Sequence, residues 1–231
     1  MRDKYRLEIL ELYKDLRVAD VRDGMDWNMM HHYGSMSQMI KPLYRTRAVG
    51  IAKTVRYLPF QGPIPQMTSQ EYTQWSGWYY GNVCTYPWLS QIETGDFIVI
   101  DQSGVDVGLM GSNNGLEAVK YGVSGIVTNG GVRDTDELIL QKVPFWSAKI
   151  SHGMVQGRLQ YDAGDIPICV GGVVVYPGDV VVADGDGVIV VPKKLAFAVA
   201  EFAQKELKSD KQSRKKLYDD LGMAYDNTVN G

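Results

Sequence analysis

The stretch YGVSGIVTNGGVRDTDELIL, residues 121–140, decides how this chain is read, because a helix end, a buried strand and a new helix succeed one another inside it. Tyr121 and its neighbours close a helix, Gly125 turns the chain, and Ile126–Thr128 form a short apolar strand. The glycines at 130 and 131 are expected to let the backbone turn sharply. Asp134-Thr135-Asp136-Glu137 then opens a periodic segment that ends near Leu140, so Arg133 and Asp134 sit at the mouth of a helix. Outward from this stretch the order is helix, strand, aromatic loop, then alternating strands and helices, the pattern of an α/β chain.

The junction is where chemistry is expected. Arg133 offers a planar fork that grips a carboxylate or 2-keto acid, and Asp134 offers a hard oxygen ligand for a divalent cation. The plainer alternative is that Asp134 caps its helix and Arg133 pairs with a surface carboxylate.

Composition sets the class. The chain has 231 residues, 45% hydrophobic and 22% charged, as an ordinary globular protein does. A formal net charge of −3 gives no general pull toward nucleic acid or an anionic membrane. The first sixteen residues, MRDKYRLEILELYKDL, interleave charges with apolar positions and lack the apolar run of a signal peptide, and no stretch has the length of a membrane span. Cys84 and Cys169 lie far apart without metal-site spacing, so a reducing cytoplasm is the expected setting.

Leu7, Leu10 and Tyr13 recur at helical spacing and a second helix is expected from Val18 to Met25, so residues 1–45 read as a helical arm. Residues 46–58 alternate as one long strand. The segment 59–90 holds four prolines and seven tyrosines or tryptophans, and it must pack against a partner subunit, a substrate pocket or a local cluster of its own. GDFIVID at 95–101 and GDVVVAD at 178–184 share one pattern, a turn feeding a buried strand that ends in a carboxylate. Residues 166–192 read as three or four short strands, and 193–231 as a long amphipathic helix with a tail, Leu195, Val199, Phe202 and Leu217 toward a packed face.

GDFIVID, GLMGSNNGLEAVKYGVSGIVTNGGVRDTDEL, VPFWSAK and IPICVGGVVVYPGDVVVADGDGVIVVP follow one another in an order that resembles the RraA-like proteins. That family includes the 4-hydroxy-4-methyl-2-oxoglutarate/4-carboxy-4-hydroxy-2-oxoadipate aldolases. LRVADVRDGMD at 16–26 and IKPLYRTRAVGIAKTV at 40–55 match the usual opening, so the resemblance covers most of residues 16–192. It implies a single α/β domain, a swivelling β/β/α-type sandwich, with its core at 46–192 between the N-terminal arm and the long C-terminal helix. It further implies a homotrimer or homohexamer with sites between subunits. Arg133 would bind the pyruvyl end of a small anionic metabolite, Asp134 would hold a divalent metal, Mg2+ or Mn2+, largely through water, and Gly111, Ser112, Asn113 and Asn114 would offer backbone amides to the substrate carboxylate.

The expected activity is a metal-dependent carbon–carbon lyase, an aldolase or decarboxylase working through an enolate. The alternative is a non-catalytic RraA-like regulator of a partner enzyme, a branch that typically lacks the Asp. Two departures bear on the reaction. Ser112-Asn113-Asn114 stands where the aldolases commonly have an acidic residue, and Asn129 stands where Asp is common. Asp101 or Asp106 is then a substitute base, although Asp101 reads equally well as a turn residue closing its strand.

Overall fold

A twelve-residue strand at Ala48–Pro59 is the spine of the computed structural model, which describes residues 2–230. In chain order the elements are α1 (Arg2–Tyr13), α2 (Val18–Trp27), β1 (Lys41–Pro42), β2 (Ala48–Pro59), α3 (Ser69–Asn82), β3 (Asp96–Asp101), β4 (Gly108–Met110), α4 (Ser112–Lys120) and β5 (Gly125–Val132). They continue with α5 (Thr135–Leu140), β6 (Phe145–Ile150), β7 (Leu159–Gly164), β8 (Ile168–Val170), β9 (Val173–Val175), β10 (Val180–Asp184), β11 (Gly187–Val191) and α6 (Ala196–Leu221).

Nine strands form one sheet in the order β1-β6-β5-β3-β2-β10-β11, with β4 added beside β5 and β7 beside β2. The pairs β2–β3, β3–β5 and β5–β6 are parallel, and each is joined by a crossover that carries a helix, namely α3, α4 and α5. Four short strands do occupy 166–192, with β8 and β9 forming a separate hairpin.

The repeated Gly-Asp pattern has one physical explanation. Gly95 and Gly178 both take left-handed backbone, at φ +84° and +93°. The aspartate after each turns back to accept the N–H three residues earlier, Asp96 from Glu93 and Asp179 from Tyr176. The two strands so launched flank β2, where Ile51 faces Asp96 on one side and Val180 on the other.

The two N-terminal helices pack onto the sheet and α6. Ile9, Tyr13, Leu16, Val21 and Met25 are buried against Val182, Ile189 and Val191 of the sheet and Val199 and Ala203 of α6. Of the residues at helical spacing, Tyr13 is buried but Leu7 is 69% exposed, because the buried stripe of α1 runs through Ile9 and Tyr13. Gly24 lets α2 lie directly on α6, since a Cβ there would stand 2.5 Å from the Val199 carbonyl oxygen.

Most of the aromatic segment packs within its own chain. Thr68 and Glu71 cap α3 reciprocally, and Tyr79 and Trp88 are fully buried. Trp88 Nε1 donates to the Tyr57 hydroxyl, which donates to the Thr85 carbonyl, so the buried polar atoms of this cluster are satisfied. Helix α6 buries only its first half; Leu217, expected on the packed face, is exposed. Among the described residues no helix is long and apolar enough to cross a membrane.

Candidate functional site

The glycines at 130 and 131 do not turn the chain; β5 runs straight through them to Val132. They are there for room. A Cβ on Gly130 would lie 2.6 Å from the Gln102 side chain, and one on Gly131 would strike Ser151. This lets β4 pair with the end of β5, Gly108 against Gly131 and Met110 against Val132, with Arg133 N donating to the Met110 carbonyl. The loop before α4 and the Arg133–Asp134 pair before α5 are thereby brought side by side at the carboxyl ends of parallel strands, where sites form in α/β sheets.

Asp134 occupies the N-cap position of α5, but in left-handed backbone at φ 52°, and its carboxylate does not cap that helix. It turns toward α4 instead. Oδ1 accepts from Arg133 Nε at 3.1 Å, and Oδ2 accepts from the Ser112 amide at 3.2 Å and its hydroxyl at 3.4 Å. The positive end of α4 is thus directed at a carboxylate of the neighbouring loop. Burial pushes the Asp134 carboxyl up, but the hydrogen bonds from Arg133 and Ser112 outweigh it and hold the pKa below the ordinary 3.8. Asp134 is therefore an anion throughout the neutral range. Gly111 makes the approach possible, since a Cβ there would lie 2.4 Å from Asp134 Oδ2.

Arg133 commits only Nε to Asp134. Among the described residues its two terminal nitrogens have no hydrogen-bond partner, and the side chain is one-third exposed at 33%. A guanidinium with its outer edge free is prepared for a planar anion. It borders a cleft of about 410 Å³ lined by Gly111, Asn113, Asn114, Arg133 and Asp134, together with Gly108, Leu109, Tyr80 and Tyr86. Five expected residues meet there, and Ser112 supports them through Asp134.

Asp101 does not join them. Its Oδ1 accepts from the Ser103 amide and from Asn129 Nδ2, both at 2.8 Å, so the carboxylate closes its own strand and lies outside the cleft lining. Asn129 is a strap, accepting from Gln102 N and donating to Asp101 and to the Cys169 carbonyl. Asp106 accepts from the Ser151 hydroxyl and is also outside the lining. The two tyrosines carry no motif; the signal for them was the density of aromatics at 72–88. Tyr86 donates its hydroxyl to the Leu109 carbonyl at 2.8 Å, and burial pushes its pKa far above the usual phenol, so it stays neutral.

Two other cavities offer less. One of about 400 Å³ near the start of β3 contains Arg6 and Lys53, but these already pair with Asp96 and Asp165. One of about 640 Å³ lies between α1 and α6 and holds charges of both signs.

The donor set at Asp134 suits a hard divalent cation held mainly by water. Among the described residues no three His, Cys, Asp or Glu side chains come together, and Asp134 is the one carboxylate of the cleft lining. A carboxylate offers about four lone-pair sites, three are used, and the Asn113 and Asn114 amide oxygens border the same cleft. Mg2+, which retains several waters and prefers oxygen, fits that set, as does Mn2+.

The model of the RraA-like family, described as Aldolase/RraA, matches residues 18–190. A Burkholderia mallei (strain SAVP1) protein carrying the provisional name 4-hydroxy-4-methyl-2-oxoglutarate aldolase is 39% identical over 103 residues, a stretch that spans 44% of this chain and 62% of that protein. Among solved structures, an uncharacterized protein from Pseudomonas syringae pv. tomato is similar at TM-score 0.73 and 26% identity, over 91% of this chain and 92% of that one. Streptomyces coelicolor RraAS2, titled an unusual member of the RNase ES inhibitor RraA protein family, is similar in fold at TM-score 0.70 and 24% identity, over 90% of this chain and 96% of that one.

Proposed function

This chain belongs to the RraA-like family, and from that premise we propose that it is a divalent-metal-dependent carbon–carbon lyase acting on a small 2-keto acid or related anionic metabolite. The observation that carries the reading is the division of labour between neighbours: Arg133 leaves its outer edge free while Asp134 is held ionised beside it in one cleft. The aldolase name of the Burkholderia relative supports a lyase.

In this reading Arg133 binds and orients the substrate carboxylate, and the amides at the start of α4 add dipoles of the same sign. Ser112 and Arg133 fix the Asp134 carboxylate, which with water and the Asn113 and Asn114 amides would hold Mg2+ or Mn2+. When bound, the cation supplies positive charge where the enolate develops, which lowers the barrier to breaking a bond next to the keto group. Retro-aldol cleavage and oxaloacetate decarboxylation share that enolate. They differ in the base. Retro-aldol cleavage must take a proton from a hydroxyl, and among the described residues the cleft lining has no carboxylate besides Asp134. Decarboxylation needs no such base and is expected to be the faster of the two.

Oxaloacetate turnover with and without EDTA tests the reading. Magnesium-dependent decay above the protein-free rate supports it, protein-dependent decay that is equal in excess chelator makes the metal mechanism wrong, and decay no faster than without protein leaves the non-catalytic regulator as the better account. We also propose a homotrimer or homohexamer. Leu116, Val119, Ile139 and Leu140 leave apolar surface on α4 and α5, Leu140 at 82% exposure. Light scattering is expected to give three or six copies; a monomer at micromolar concentration would exclude this assembly.

A further inference from the structure

We propose that the cleft selects 2-keto acids whose far end is aromatic and uncharged, in preference to those ending in a second carboxylate. This deepens the keto-acid reading and rests on it. Arg133 is the only Lys, Arg or His in the cleft lining among the described residues, and its Nε is already engaged by Asp134. Its outer edge serves one carboxylate. A second carboxylate on the same substrate, extending past the Asn113 and Asn114 amides, would meet Leu109 and two phenol rings and would give up water without gaining a cation there.

The tyrosines favour an aromatic group in a specific way. Tyr86 spends its hydroxyl hydrogen on the Leu109 carbonyl, so it is fixed in place and has no donor left for an anion. Tyr80 stands on α3 at 39% exposure, with ring surface still open to a ligand. Both lie in the lining with Asn113 and Asn114, across a space of about 410 Å³ that has room for a phenyl ring beyond a pyruvyl unit.

For an aldol substrate of this class, 4-hydroxy-4-phenyl-2-oxobutanoate, the C3–C4 bond breaks and its electron pair passes to C3 as the enolate of pyruvate. The C4 hydroxyl gives its proton to water and becomes the aldehyde oxygen of benzaldehyde. C3 then takes up a proton, and pyruvate leaves.

The test uses a matched pair, 2-oxo-4-phenylbutanoate and 2-oxoglutarate, which differ only in a phenyl ring against a carboxylate at the far end. Titrated calorimetrically into the full chain with Mg2+, the phenyl compound is expected to bind at least about tenfold more tightly. Tyr80→Ala should reduce that preference severalfold. Equal or tighter binding of 2-oxoglutarate overturns the proposal, as does a Tyr80→Ala variant with the preference intact. Oxaloacetate decay with and without EDTA, run in parallel, separates the two failures. Magnesium-dependent decay with 2-oxoglutarate preferred removes only the selectivity, whereas chelator-insensitive decay with neither keto acid bound removes the keto-acid reading as well.

Discussion

Replacing Gly111 with alanine moves one carboxylate and little else. Gly111 has φ −135° and ψ −168°, extended backbone that alanine adopts freely, so only the added methyl matters. That methyl would stand 2.4 Å from Asp134 Oδ2 and 3.1 Å from Arg133 Cγ, where ordinary contact begins near 3.4 Å, so the carboxylate must retreat by about 1 Å. The retreat withdraws Oδ2 from the Ser112 amide, now 3.2 Å away. A hydrogen bond to a charged group contributes about 1.5–3 kcal/mol, and screening at a site one-third open to water reduces this to about 1 kcal/mol. For a chain of this length the Tm falls by about 2–4 °C. The chemistry suffers far more, since a displacement of this size at a reacting centre costs on the order of 100-fold. Magnesium-dependent oxaloacetate decarboxylation and thermal unfolding by circular dichroism, measured on the same preparations, read the two effects separately. If Gly111→Ala keeps kcat/KM close to wild type, the position of Asp134 does not govern the reaction and the site is misassigned.

Arg133→Lys is expected to raise the KM for pyruvate-like acids about tenfold, because a point charge replaces the planar fork, while Tm stays close to wild type; steady-state kinetics read this directly. Asp134→Ala and Asp134→Gly should both abolish the magnesium dependence, with the glycine variant more stable than the alanine variant by about 1 kcal/mol because the backbone at 134 is left-handed. Since the folded pKa of Asp134 lies below 3.8, its contribution to stability is present above that value and lost as pH falls through the lower folded pKa; denaturant titrations of wild type and Asp134→Ala should converge there and diverge at neutral pH. Ser112→Glu sets a second carboxylate beside Asp134 and should raise retro-aldol cleavage relative to decarboxylation by about 10²–10⁴-fold, scored by pyruvate release from a 4-hydroxy-2-keto acid.

Local pattern made β2, the four strands of 166–192 and the C-terminal helix legible, because each is written in contiguous residues. The glycines at 130 and 131 were not, since the same two residues serve a turn or a strand against which other side chains press. Gln102 and Ser151 decide between these, and neither is adjacent in sequence. Helix α1 posed the same difficulty. Charges interrupt every candidate stripe, and the burial of Ile9 and Tyr13 rather than Leu7 follows from packing against the sheet and α6, the latter more than 180 residues away. Arg133 and Asp134 were readable as a candidate pair because motif and strand end coincide, whereas Gly111, Asn113 and Asn114 entered through the resemblance to the RraA-like proteins; the structure brings all five to one cleft. Tyr80 and Tyr86 were hidden among other aromatics, of which Tyr79 and Trp88 are plain core.

The two departures from the aldolase pattern are unequal in consequence, and only the structure separates them. Asn129 donates to Asp101 and accepts from the Gln102 amide, a pair of roles that an aspartate, which only accepts, would not fill beside another carboxylate. Its replacement therefore adjusts the strap between β3 and β5 and leaves the cleft untouched. Ser112 is different, because its amide and hydroxyl both end on Asp134 Oδ2. A neutral first turn of α4 leaves the helix dipole unopposed at that oxygen, which favours the ionised Asp134, while depriving the cleft of a second carboxylate. Ser112 at this position thus favours the anion and, on the proposed function, leaves the base to be supplied from elsewhere. On the proposed lyase reading, a cleft whose lining has Arg133 as its one Lys, Arg or His among the described residues would keep the stabilisation of an enolate, and the expected changes are in the proton transfer around it and in the group at the substrate's far end.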